Sequence, residues 1–120
     1  MMRPVIDTNI LIDYLNGNKK AQAELARYDR PFISVITWME VMVGAANVKE
    51  AATLRAFLRR FELVEMGEQV REAAVAARAK YRFRLPDAII YATAQTQNTL
   101  LVTRNTKDFS TDDPAVRVPY

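Results

Sequence analysis

Val5-Ile6-Asp7-Thr8-Asn9-Ile10-Leu11 decides how the chain is read. Val5-Ile6 closes a short apolar run after Pro4 and reads as a buried strand. From Thr8 to Leu15 the apolar residues Leu11, Ile12 and Leu15 recur at helical spacing. A strand therefore gives way directly to a helix, with a carboxylate at the joint. Asn16-Gly17-Asn18 supplies the stop.

The same alternation continues towards the C-terminus. Lys19 to Tyr28 is rich in Ala, Glu, Leu and Lys and is predicted helical. Pro31 opens a strand, Phe32-Ile33-Ser34-Val35. Thr37 begins a helix to about Ala46, and Lys49 to Arg60 forms another, with Leu54, Phe57, Leu58 and Phe61 on its apolar side. Phe61-Glu62-Leu63-Val64 alternates as a short strand. Glu68 to Tyr81 is amphipathic, with Val70, Ala73, Ala74, Ala77 and Tyr81 on one face. Pro86 suits the first turn of a helix reaching Gln97. Leu100-Leu101-Val102-Thr103 reads as a buried strand and Val116-Arg117-Val118 as a short edge strand. Strands alternating with helices predict an α/β fold with a central, mostly parallel sheet flanked by helices. No repeat or long linker divides the chain, so residues 1–120 are expected to form one domain.

Composition narrows the chemistry. The 120 residues are 50% hydrophobic, enough for a sizeable core. Apolar runs are interrupted by polar residues, and an acid follows the N-terminus too soon for a signal peptide. A soluble, cytoplasmic protein without membrane contact is the expectation. The absence of Cys and His excludes thiol nucleophiles, imidazole acid–base chemistry and ordinary zinc sites. Carboxylates remain, and these hard oxygen ligands suit Mg²⁺ or Mn²⁺. The net charge is +3, from 17 basic and 14 acidic residues. Sequestering four acids in a site would leave 10 against 17, a surface favouring a polyanion.

Four acids are placed alike. Asp7 follows the first strand, Glu40 falls in the first turn after the second, Asp87 follows Pro86 at a helix start, and Asp108 lies beyond Leu100–Thr103. Open parallel sheets collect ligands beyond the carboxyl ends of their strands. Each acid also has a structural explanation. Asp7 suits a helix cap, Thr37-x-x-Glu40 matches a capping box, Asp87 suits a helix N-terminus, and Asp108 suits a loop cap. Those explanations do not account for acids recurring wherever the sheet would gather them.

The blocks around these acids resemble the PIN-domain family, and within it the VapC toxins of type II toxin–antitoxin systems. Val5–Leu11 resembles the opening strand and first acid. Ser34-Val35-Ile36-Thr37-Trp38-Met39-Glu40-Val41 resembles the second acidic block. Leu85-Pro86-Asp87-Ala88-Ile89-Ile90-Tyr91-Ala92 resembles the third, and Leu101-Val102-Thr103-Arg104-Asn105-Thr106-Lys107-Asp108-Phe109 the closing block. The resemblance implies a three-layer PIN fold, an Mg²⁺- or Mn²⁺-dependent endoribonuclease and a cognate antitoxin. It makes Asp7, Glu40 and Asp87 the acidic triad and metal ligands. Some members carry Asp where this chain has Asn105, which leaves Asp108 as the charged candidate for the fourth place.

Thr8, Asn9, Thr103 and Asn105 are candidates to support the acids by hydrogen bonds. Arg82 and Arg84, in the basic stretch with Arg78 and Lys80, and also Arg104, are candidates for RNA phosphates. Tyr81 and Phe83 interleave with these bases, and Tyr81 is assigned to the core. A homodimer is expected. So is an apolar antitoxin groove along the early helices, with Tyr14, Leu15, Trp38, Met39 and Met42 as candidates. Competing readings are a small-molecule phosphatase, a non-catalytic RNA- or protein-binding PIN module, and a receiver domain. A receiver would want paired acids after its first strand, whereas Asp7 stands alone before Thr8.

Overall fold

The structure is a computed structural model and describes residues 2–120. Its elements run β1 Val5–Ile6, α1 Thr8–Leu15, α2 Lys19–Ala26, β2 Phe32–Ser34, α3 Val35–Val43 and α4 Val48–Leu58. Next come β3 Glu62–Val64, α5 Glu68–Tyr81, α6 Leu85–Thr96, β4 Leu101–Val102 and β5 Val116–Arg117. The five strands order as β3-β2-β1-β4-β5, and every pairing is parallel. The expected parallel α/β sheet is present, with Val116–Arg117 at one edge.

The strands are short, but their alternation builds two separate cores. Val5, Phe32 and Leu101 face one way and pack with Val70, Ala74, Ala77, Ile90 and Phe109, the α5–α6 side. Ile6, Ile33 and Val102 face the other way and pack with Ile10, Leu11, Leu25, Val41 and Leu58, the α1–α4 side. A strand buried on both faces reads as a continuous apolar run, as these do. The result is three layers, helix on sheet on helix, as the family resemblance implies.

The sequence reading needs correcting at two helices. Helix α3 starts at Val35, because Ser34 leaves the strand and its hydroxyl accepts the Ile36 amide. Thr37 and Glu40 therefore form no capping box, and Glu40 lies in the second turn. Helix α5 ends at Arg82 in the left-handed conformation, φ 60°, which reverses the chain. That turn buries Phe83 at 7% exposure against Tyr91 and Phe109 and leaves Tyr81 41% exposed, the opposite of the expected assignment. Among the described residues no helix is long and apolar enough to cross a membrane.

Candidate active site

Parallel strands all present their carboxyl ends on one side, so the residues just beyond β1, β2 and β4 meet there. Asp7 ends β1 and caps α1, its Oδ1 accepting the Thr8 amide at 2.7 Å. Its Oδ2 accepts the Thr103 hydroxyl at 2.6 Å and the Asn9 side-chain amide at 3.3 Å. Burial nevertheless raises the Asp7 pKa, and the Glu40 charge adds to that rise, while the bonds from Thr103, Thr8 and Asn9 oppose it.

Glu40 reaches Asp7 through a hydroxyl bridge. Thr8 donates to Glu40 Oε1 at 2.7 Å, and the Thr8 and Thr37 hydroxyls lie 2.9 Å apart. Thr8 has one proton to give, so Thr37 must donate back to it. Thr37 is fully buried and holds this bridge in place. Its local sequence pattern points only to a cap.

Asp87 stands in the first turn of α6, where the helix dipole favours a negative charge. Its pKa is raised to about 6, first by burial, then by its contact with Asp108 and by the charge of Asp7. Asp87 Oδ2 is buried and has no hydrogen-bond partner, with Arg84 Nε 3.7 Å away. Arg84 also lies 3.5 Å from Asp108. The Asn105 amide donates to Asp108 Oδ2 at 2.9 Å, and this bond, before the contacts with Asp87 and Arg84, holds the Asp108 pKa below its ordinary value. Asn105 is thus committed to Asp108, while its own backbone N–H donates to Thr103.

The charge of Glu40 acts on Asp7, and those of Asp7 and Asp108 act on Asp87, so the acids neighbour one another in the order Glu40, Asp7, Asp87, Asp108. Among the described residues no three His, Cys, Asp or Glu side chains close a metal site by themselves. A hard divalent cation still fits the donor set. All the groups are oxygens, Asp87 Oδ2 is orphaned, and Mg²⁺ commonly takes one or two carboxylates and keeps several waters.

Not every residue singled out in the sequence faces this row. Arg104 pairs with Asp13 at 2.8 Å and lies over the Tyr120 ring, 4.8 Å from its centroid. Arg82 has a backbone role as the α5 cap, and Arg78 donates to the Phe83 carbonyl. Tyr14 stacks on Phe57, and Tyr14, Trp38 and Met42 pack partly buried on the α1–α4 core. Leu15 and Met39 are exposed.

Sequence reasoning missed Glu24 and Arg117. Glu24 is 4% exposed and accepts Arg117 Nε at 2.8 Å and Nη2 at 2.9 Å, while the Tyr28 hydroxyl adds a bond at 2.7 Å. Arg117 lies on β5, and its carbonyl accepts the Thr103 amide at 3.0 Å. This ion pair therefore steadies the strand behind the hydroxyl that holds Asp7. The partners are 93 residues apart, and no local pattern announces them.

An open parallel sheet with carboxylates along its carboxyl edge defines an α/β protein whose site chemistry is that of oxygen donors. The family model of the PIN domain matches residues 5–111, and the chain belongs to the PIN-domain family. It is 44% identical to a chain of a toxin–antitoxin complex from Klebsiella pneumoniae, covering 98% of each chain with a TM-score of 0.91. A chain of FitAcB from Neisseria gonorrhoeae is 25% identical over 96% of each chain, with a TM-score of 0.80. A chain of DNA-bound VapBC from Salmonella typhimurium shares the fold at 23% identity, over 98% of this chain and 96% of that one, with a TM-score of 0.80. The comparison with curated proteins finds no match.

Proposed function

We propose that the chain is a VapC-type toxin, a single-domain cytoplasmic endoribonuclease that works with Mg²⁺ or Mn²⁺. The observation that carries this reading is the row of acids at the strand ends, with a buried, unpartnered oxygen on Asp87. In this reading Asp7 and Asp87 hold the ion, and Glu40, fixed by Thr8, completes the site or orients the attacking water. When bound, such an ion supplies Lewis-acid polarisation of the phosphoryl group and activation of water. Thr103, Thr8 and Asn9 keep the Asp7 oxygens aimed, so little reorganisation is needed as substrate arrives. In the same reading Arg84, 80% exposed beside Asp87 and Asp108, would contact a phosphate.

The principal cavities lie away from these acids. That arrangement suits a polymer drawn across the surface better than a small molecule enclosed in a pocket, and so favours RNA over a small phosphate ester. The 44% identity to a chain of a toxin–antitoxin complex supports a protein antitoxin as partner. An antitoxin arginine offered to the acids would compete with the cation. A homodimer is part of the same proposal.

The test is incubation with total RNA, with and without Mg²⁺, and mapping of the cut ends. Cleavage should require the ion, stop on chelation and return on adding Mn²⁺. Cutting that survives chelation would remove the metal from the mechanism. The fourth acid is tested separately. With Asn105 engaged on Asp108, Asp108→Ala should raise the Mg²⁺ concentration for half-maximal activity several-fold. Asn105→Ala should raise it less. The reverse order would assign the place to Asn105.

A further inference from the structure

A carboxylate row repels RNA, so the binding energy for a polyanion must come from cations elsewhere. One Arg84 does not offset four carboxylates, and Arg104 is engaged with Asp13. A different cluster is not. Arg30, Arg55 and Arg59 line one open cavity of about 490 Å³ together with Trp38, Leu58, Phe61 and Leu63. All three arginines are exposed, and none lies within ion-pair distance of a carboxylate among the described residues. Arg30 makes one long bond, 3.4 Å, to the Phe61 carbonyl. Arg30 feels the charge of Glu62, which is already paired with Arg3, and Arg55 and Arg59 add two further guanidinium groups to the same concavity, where an anion would relieve their repulsion.

Trp38 supplies the second half of a nucleotide site. It is partly buried on the α1–α4 core and also lines the cavity. Guanidinium groups for phosphate beside an aromatic face for a base are how proteins hold single strands without reading sequence. The cavity lies at β3, the sheet edge two strands from β1, which bears Asp7. At ~4.8 Å per strand the lateral offset is roughly 10 Å, and because Arg30, Arg59 and Phe61 precede β2 and β3 the cavity sits toward the amino ends of the strands, so an RNA that also reaches the acids must run along the strands to their carboxyl ends. Trp38 and Glu40 share helix α3, so the cavity and the acid row lean on one rigid element.

We propose that the cavity of Arg30, Arg55, Arg59 and Trp38 is a second binding site, which takes the phosphates of single-stranded RNA on its arginines and stacks a base on Trp38. This rests on the ribonuclease reading, and the experiment separates the two. The probe is an oligouridylate of about 12 nucleotides, bound to the full chain carrying Asp87→Asn so that it is not cut. Trp38 is the only tryptophan, so its fluorescence reports on the cavity directly. RNA should quench it, and Arg55→Glu/Arg59→Glu should abolish the quench and weaken binding by about 10–100-fold near 0.1 M salt. Two lost phosphate contacts should lower the slope of log affinity against log salt by about 1.4. Arg55→Gln/Arg59→Gln, which adds no negative charge, should give a smaller loss of the same kind. It carries the test if the charge reversal fails to fold by circular dichroism.

Unchanged affinity, slope and quench in either folded variant would overturn the site. So would quenching by polyglutamate but not by RNA, which would make the cavity a protein-docking surface. Absence of RNA binding in the Asp87→Asn chain would overturn it as well. The acid-intact chain is assayed in parallel with Mg²⁺ on the same RNA. Binding through Arg55 and Arg59 without cleavage would reject the nuclease and leave the site standing. Cleavage indifferent to both arginines would do the opposite.

Discussion

Asp87→Asn should reduce RNA cleavage by about a hundredfold or more while making the protein more stable. Asn keeps the shape and one carbonyl oxygen but loses the charge that, in the proposed reading, would hold a hard cation. The stability gain comes from the acid's surroundings. Burial, Asp108 and Asp7 raise the Asp87 pKa to about 6, against roughly 3.9 in an unfolded chain. Between those values the folded state holds the proton that the unfolded state has released. Stability therefore falls as pH rises from about 4 to about 6, and the cost persists at neutral pH. Removing the charge should return about 1–2 kcal/mol at pH 7, less than the full shift because the group is partly hydrated. Melting curves of both proteins at pH 4 and pH 7 check this. The advantage of Asp87→Asn should be present at pH 7 and nearly absent at pH 4. Full nuclease activity in the purified variant would reject Asp87 as a site residue.

Glu24→Ala should destabilise the protein strongly although it lies away from the acid row. It would strand Arg117 and the Tyr28 hydroxyl, both of which now bond to Glu24. Breaking one side of a buried pair costs about 3–5 kcal/mol, and the partial exposure of Arg117 puts this case near 3. For a chain of this size that is roughly a 10 °C loss in Tm. The sign with pH is opposite to that of Asp87. Arg117, Tyr28 and Arg27 hold the Glu24 pKa below its usual value despite burial. Its contribution is therefore complete above the ordinary carboxylate range and fades as pH falls through the lowered value. The gap between parent and variant should close in strong acid. A variant that melts within about 1 kcal/mol of the parent at pH 7 would show that the pair contributes no more than a surface contact.

Local patterns revealed what local chemistry determines. Asp7 was legible because an apolar pair is followed at once by a helical period, and Asp87 because Pro86 marks a first turn. The alternation of Val5-Ile6, Phe32-Ile33 and Leu101-Val102 was enough to anticipate a sheet covered on both faces. Glu40 was placed a turn too early, since Thr37-x-x-Glu40 imitates a capping box while Ser34 does the capping. The exchange of Tyr81 and Phe83 turns on one positive φ at Arg82, and non-glycine residues rarely take that conformation. The partners of Arg104 and Glu24 lie 91 and 93 residues away, and only the folded chain brings them together.

The parallel sheet also fixes when the site can exist. β1 pairs with β4, and the bond from Thr103 to Asp7 spans 96 residues. Ribosomes add about 5–20 residues per second, so Asp7 is made roughly 5–20 s before the hydroxyl that will hold it. Through that interval β1 has no β4 to pair with, and Asp87 and Asp108 follow Asp7 by 80 and 101 residues. Competence is therefore acquired late and all at once. A nascent chain that stalls before β4 carries the first acids in place but cannot assemble the row they belong to.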